Sequence, residues 1–230
     1  MPVRPASVTC GSARASTIGE FLLPAWLSAF RRARPDVRPQ LEITNSTEVL
    51  AAVREHRCEI GFVEGLDPLE GLEALALARD EIVAVVATSH PWARRRVLSP
   101  RELLNEPYLT REAASGTRAV ATAALANAGI ELRPVLQAAS AQSLKRGLED
   151  GGFTLISRIT IEAEQRAGTL SGIPIRGLDL TRELSAIRRR RPVPTGPARA
   201  LWRWLADVAA SPSASDKRTL SATEQTQVMP

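Results

Sequence analysis

Cysteine, lysine, histidine and aromatic residues are all scarce in this chain of 230 residues. The two cysteines, Cys10 and Cys58, cannot build a disulfide framework, so both are expected as reduced thiols in a cytoplasmic protein. Apolar runs such as Ile82–Ala87 are far too short to span a bilayer. No apolar stretch follows Arg4, so no secretory signal is expected, and no membrane partner. Aromatics make up 4% of the residues, which argues against a base-stacking surface for nucleic acid. There is no P-loop and no G-x-G-x-x-G, hence no expected cofactor. The two histidines, His56 and His90, lie in no Ser/Asp constellation, and G-x-S-x-G is missing, so no catalytic residue is assigned and no enzyme is expected. His56 and Cys58 lack further partners for a metal site.

What is present is ordinary globular material with an arginine bias. Hydrophobic residues are 44% and charged residues 24%, enough apolar surface for a sizeable core. The net charge is +5 at a sequence pI of about 10.1, yet only Lys145 and Lys217 of the 30 basic residues are lysines. The charges are spread along the chain apart from Arg94–Arg96 and Arg188–Arg191, the latter expected as a solvated strand edge.

Strand and helix signals alternate. Strands are expected at Ser7–Cys10, Arg38–Thr44, Glu59–Val63, Leu75–Ala78, Asp80–Thr88, Pro107–Thr110, Pro134–Gln137, Phe153–Ile156, Leu170–Ile175 and Leu184–Arg190. Helical periodicity covers Ile18–Arg34, with Ser16 or Thr17 as cap and Pro35 as stop. Further helices are expected from Asn45–Ser46 to Glu55, and over Ser115–Ala128, Ala141–Glu149, Thr160–Ala167 and Thr195–Ala210. Residues Ser211–Pro230 are rich in Ser, Thr, Gln and Pro and are expected to be a disordered tail. The alternation predicts an α/β protein with two Rossmann-like subdomains, meeting near Thr88. Ligands of such folds sit at strand carboxyl ends and helix starts.

Four helix starts fall there: Ser16–Thr17, Asn45–Ser46–Thr47, Ser115–Gly116–Thr117–Arg118 and Ser140–Ala141. Each offers hydroxyls and unpaired N–H groups at the positive end of a helix, a setting that suits a small anion and equally suits a plain N-cap. Arg118, and more weakly Arg111, could pair with an anionic ligand, and Ser157 at the end of Phe153–Ile156 could reach the same cleft.

Six segments in order carry a family resemblance: TIGEFLLPAWLSAFRRARPDV (17–37), ITNSTEVLAAVREHRCEIGFVEG (43–65), DEIVAVVATSHPWARRR (80–96), LTREAASGTR (109–118), SLKRGLEDGGFTLISR (143–158) and LTRELSAIRRR (180–190). They resemble the effector-binding domain of LysR-type transcriptional regulators over about residues 7–210. The resemblance implies a periplasmic-binding-protein-like fold in which two crossing strands join the subdomains. One subdomain would span about 7–86 plus 190–210, the other about 87–189, with crossings in Asp80–Thr88 and Leu184–Arg190. It also implies a small, anionic metabolite in the cleft, a homodimer or homotetramer whose arrangement the metabolite changes, and DNA contact only through a winged helix-turn-helix domain. No such domain is expected within Met1–Ala6, so the DNA reader is expected to be missing here. The alternative is a free-standing solute-binding protein of the same fold, which would need export. For the dimer, the apolar stripes of the helices over Ile18–Arg34 and Ser115–Ala128 are wider than one sheet contact needs.

Overall fold

The computed structural model describes residues 7–11, 17–42, 44–65 and 68–210. Ser16, Ile43 and the tail 211–230 lie outside the described residues.

Among the described residues, nine strands join into one mixed sheet. In chain order they are β1 (Ser7–Gly11), β2 (Arg38–Leu41), β3 (Ile60–Val63), β4 (Leu72–Ala87), β5 (Tyr108–Arg111), β6 (Pro134–Ala138), β7 (Phe153–Ser157), β8 (Leu170–Ile173) and β9 (Thr181–Arg189). The helices are α1 (Leu23–Ala33), α2 (Ser46–Arg54), α3 (Gly116–Asn127), α4 (Ala141–Gly147), α5 (Glu162–Ala167) and α6 (Gly196–Ala210). The sheet order is β2-β1-β3-β9-β4-β7-β5-β6, with β8 also on β4.

β1, β2 and β3 are parallel, as are β5, β6 and β7. Each parallel triplet comes from strand–helix–strand units. The antiparallel strands β4 and β9 tie the triplets together. From Leu72 to Glu81, β4 pairs with β9; from Ile82 onward it pairs with β7 and β8. The expected strands Leu75–Ala78 and Asp80–Thr88 are therefore one strand, with a pairing irregularity at Ala76/Ala78. On β9, residues Ser185–Arg188 already pair with β3. The Ile82 amide donates to the Leu180 carbonyl at 2.9 Å. β9 thus enters its pairing with β4 directly after Leu180, at Thr181 and Arg182.

Helices cover both faces of each half. In the first, Leu23, Trp26, Leu27 and Phe30 of α1 pack with Leu201 and Leu205 of α6 on one face. On the other face lie Val49, Leu50 and Val53 of α2. In the second, Val120, Ala121 and Leu125 of α3 pack with Phe153 and Leu155. Opposite them, Leu144 of α4 joins Val83, Val85 and Ile156. This is why β3 and β7 are buried at every position instead of alternating.

The first helix opens with a wider π turn, Ile18–Leu22, in which the Leu23 amide donates to the Ile18 carbonyl. Pro24 has no N–H to give to Glu20, so the ordinary ladder cannot form there. The expected Thr160–Ala167 helix divides into a 3-10 turn, Arg158–Ile161, and α5. Arg188–Arg191 is no solvated edge along its length: Arg188 stacks over Trp202 and pairs with Glu73, and Arg189 donates to the Val53 carbonyl in the last turn of α2 and to the Cys58 carbonyl shortly before β3.

Candidate functional site

The two halves meet around one buried arginine. Arg182 is the second residue of β9, and alternation with Leu180 and Leu184 turns it inward. Its side chain is 1% exposed, and its two acidic partners are equally enclosed, Glu64 at 3% and Asp80 at 0%. Arg182 Nη2 lies 3.0 Å from Glu64 Oε2 and 2.7 Å from Asp80 Oδ2. Nε donates to Asp80 Oδ2 at 2.8 Å. Nη1 donates to the Glu64 carbonyl at 3.2 Å and to Thr117 Oγ1 at 3.0 Å, and Nη2 donates to Thr17 Oγ1 at 2.8 Å. Ser157 Oγ donates to the free Asp80 oxygen, Oδ1, at 2.6 Å.

Two carboxylates thus face one guanidinium. The surplus negative charge is met by the start of the first helix, where the Ile18 amide donates to Glu64 Oε1 at 2.7 Å. An acid at a helix N-terminus is the favourable sign. Burial of charge without such partners would cost several kcal/mol per ion.

The expected site residues divide into two groups. Thr17, Thr117 and Ser157 converge on the Arg182–Asp80 pair. Gly116 and Ser46 stand beside them: a Cβ added at Gly116 would lie 2.7 Å from the Glu64 carbonyl oxygen and 3.4 Å from Ser46 Oγ. The starts of α2 and α3 therefore meet across the junction, and glycine permits the approach. The others have local work. Asn45 caps α2 by accepting from the Glu48 amide at 2.9 Å. Ser115 accepts from the Arg118 amide, and Ser140 accepts from the Ser143 amide. Thr47 is exposed. Arg118 donates to the Arg111 carbonyl and to Gln137 Oε1, tying α3 to the ends of β5 and β6. Arg111 is buried and grips Glu112 with two bonds, 2.9 and 3.0 Å long. Ser16 lies outside the described residues.

Arg182, Glu64 and Asp80 were the residues that sequence reasoning missed. The readable signal was a charge at an inward position of an apolar strand, at Arg182 and again at Asp80.

At the rim of the junction stand Glu20, Phe21 and Lys145. Lys145 Nζ donates to the Thr160 carbonyl at 2.8 Å, pairs with Glu164, and lies 5.6 Å from the centre of the Phe21 ring. The Glu20 carboxyl is held above its ordinary range, first by partial desolvation of its carboxyl end; Glu64 adds to the rise, and Arg111 and Lys145 oppose it. A separate groove of about 630 Å³ lies between α1 and α6, lined by Phe30, Arg34, Arg203 and Trp204 among others. It is remote from the converging helix starts, and Arg34 there is already paired with Asp36. Among the described residues, no group of three or more His, Cys, Asp or Glu side chains is placed to hold a metal ion. No described helix is long and apolar enough to cross a membrane.

Residues 13–210 match the model of the LysR substrate binding domain. The chain belongs to that family. The HTH-type transcriptional regulator Rv2282c of Mycobacterium tuberculosis is 40% identical over 182 residues, which cover 74% of this chain and 58% of that protein. The LysR-family chain thus spans under two thirds of the length of that relative. Among solved structures, the regulatory domain of Synechocystis CcmR in complex with 2-PG matches with a TM-score of 0.80 at 18% identity, covering 89% of this chain and 97% of that one. The effector binding domain of QuiR in complex with shikimate matches with a TM-score of 0.79 at 14% identity, covering 90% and 98%. These likenesses establish the periplasmic-binding-protein-like fold of this LysR-family domain.

Proposed function

We propose that this LysR-family chain is the ligand-sensing part of a cytoplasmic transcription regulator, and that it binds a small acidic metabolite between its two halves. The reading rests on one observation: helix starts from both halves, at Thr17–Ile18, Ser46 and Gly116–Thr117, meet at one junction. Helix starts favour anions. The acid shikimate, bound by the QuiR domain, is in keeping with it. The halves would divide at Glu81/Ile82 and Leu180–Arg182, where the sheet changes partners. The chain would act without catalysis, as a homodimer or homotetramer whose arrangement the ligand alters, and DNA would be contacted through a helix-turn-helix domain carried outside residues 7–210. Phe21 on the first helix, 37% exposed, is available to such an interface.

A thermal-shift screen of carboxylates, phosphates and sulfate on the purified chain tests the reading. A ligand at a hundredfold excess over its Kd stabilises by about 2.7 kcal/mol. Replacing Thr17 and Thr117 together by alanine should abolish the gain and leave the unliganded chain folded. A shift that survives the double replacement places the ligand elsewhere.

A further inference from the structure

Asp80 and Arg182 face each other as register partners on the two crossing strands. Their pair is therefore part of the hinge itself, and a change in the angle between the halves need not break it. The other side-chain bonds of the pair itself each run to one half or the other. Thr17, the Glu64 carbonyl and the Glu64 carboxylate hold it to the first half. Thr117 and Ser157 hold it to the second. Ser157 ends β7, which is itself paired with β4 just past Asp80, so its bond lies at the pivot. Thr117 sits on α3, whose start rests against the Glu64 carbonyl across the junction. A rotation that opens the junction must therefore separate Thr117 from Arg182 and Gly116 from Glu64, while the first-half bonds can persist.

We propose that Arg182 and Thr117 form a latch between the halves, seated by the bare backbone of Gly116 on the Glu64 carbonyl, and that this contact sets the closed angle of the unliganded chain. It rests on the proposed reading that a ligand is held between the two halves. Gly116 is the first residue of α3 and keeps a helical backbone there. Alanine at this position suits the helix better than glycine does. Its Cβ, however, would lie 2.7 Å from a backbone oxygen of the opposite half, a separation that side chains do not adopt. One substitution thus favours the helix and forbids the closed contact.

The test is residual dipolar couplings on the full 230-residue chain, comparing wild type with Gly116→Ala. The wild-type couplings of both halves should fit one alignment, with the halves oriented as the Arg182–Thr117 and Gly116–Glu64 contacts hold them. In Gly116→Ala each half should keep its own fit while their relative orientation changes, and the radius of gyration from solution scattering should rise. Thr117→Ala, which adds no bulk, should broaden the range of orientations and serves if Gly116→Ala does not fold. Couplings of both variants that fit the wild-type orientation overturn the latch. The ligand reading is separable, with shikimate as the probe. Should Gly116→Ala reorient the halves while shikimate leaves the wild type unaltered at every concentration, the latch stands without support from that ligand. Should shikimate bind the wild type while both variants keep its orientation, the cleft stands and the latch is wrong.

Discussion

Replacing Arg182 by methionine is the sharpest perturbation of the junction. Methionine keeps the length and apolar stem but removes every donor. The change deletes the bonds to Thr17, Thr117 and the Glu64 carbonyl, and leaves the Glu64 and Asp80 carboxylates, 3% and 0% exposed, without their cation. Removing one partner of a single buried ion pair costs about 3–5 kcal/mol. Here two carboxylates lose the same partner, and only Glu64 retains a helix-start amide, so the loss should reach at least about 4 kcal/mol on that scale. That is a large part of the roughly 5–15 kcal/mol that folds a domain. The uncompensated charge accounts for most of it. Adding Glu64→Gln and Asp80→Asn to Arg182→Met should therefore restore at least about 2 kcal/mol, although the triple variant has lost more bonds. Urea unfolding at pH 7, followed by circular dichroism, reads both numbers. A loss below about 1 kcal/mol for Arg182→Met, or a triple variant no more stable than the single one, would refute the electrostatic account of the junction.

Three further outcomes are expected. Phe153→Ala should cost about 3–5 kcal/mol in the same assay, because Phe153 is fully buried with its ring stacked on Tyr108 at 5.2 Å and tilted against Trp92 at 5.3 Å. Asn45→Ala should cost about 1 kcal/mol through the lost α2 cap, and hydrogen exchange should quicken first at Glu48. The Glu20 carboxyl is raised in the folded chain, so its contribution is fully present below the unfolded pKa of about 4.3 and fades as pH rises through the folded value; Glu20→Gln should flatten the stability curve above that point, and an unchanged curve would remove Glu20 from the junction's charge balance.

Much of the architecture was legible because it is local. The i, i+3, i+4 spacing of Ile18–Arg34 and the side chains of Asn45, Ser115 and Ser140 each act within a few residues, and all three side chains make the bond of a plain N-cap, one of the two roles open to them. Where the pattern misled, a neighbour decided. β4 reads as two strands because Arg79 and Asp80 interrupt its apolar run, yet β9 pairs with it on both sides of the irregularity. The Arg182 network was illegible for a related reason. Its partners are 165, 118, 102 and 65 residues away along the chain, at Thr17, Glu64, Asp80 and Thr117. No spacing rule joins such positions, and each alone reads as a cap or a surface charge. What the sequence did carry was the inward placement of Arg182, at the same alternation as Leu180 and Leu184.

The central claim is that an acidic ligand is held where the helix starts of the two halves meet. Amide-resolved NMR of the full chain, titrated with the acid that most raises its melting temperature, tests this most directly. The account predicts the largest shifts at Ile18, Ser46, Gly116 and Thr117, and their loss when Thr17 and Thr117 are both alanine. Shifts centred on Phe30, Arg203 and Trp204, in the groove between α1 and α6, with the junction amides unmoved, would contradict it.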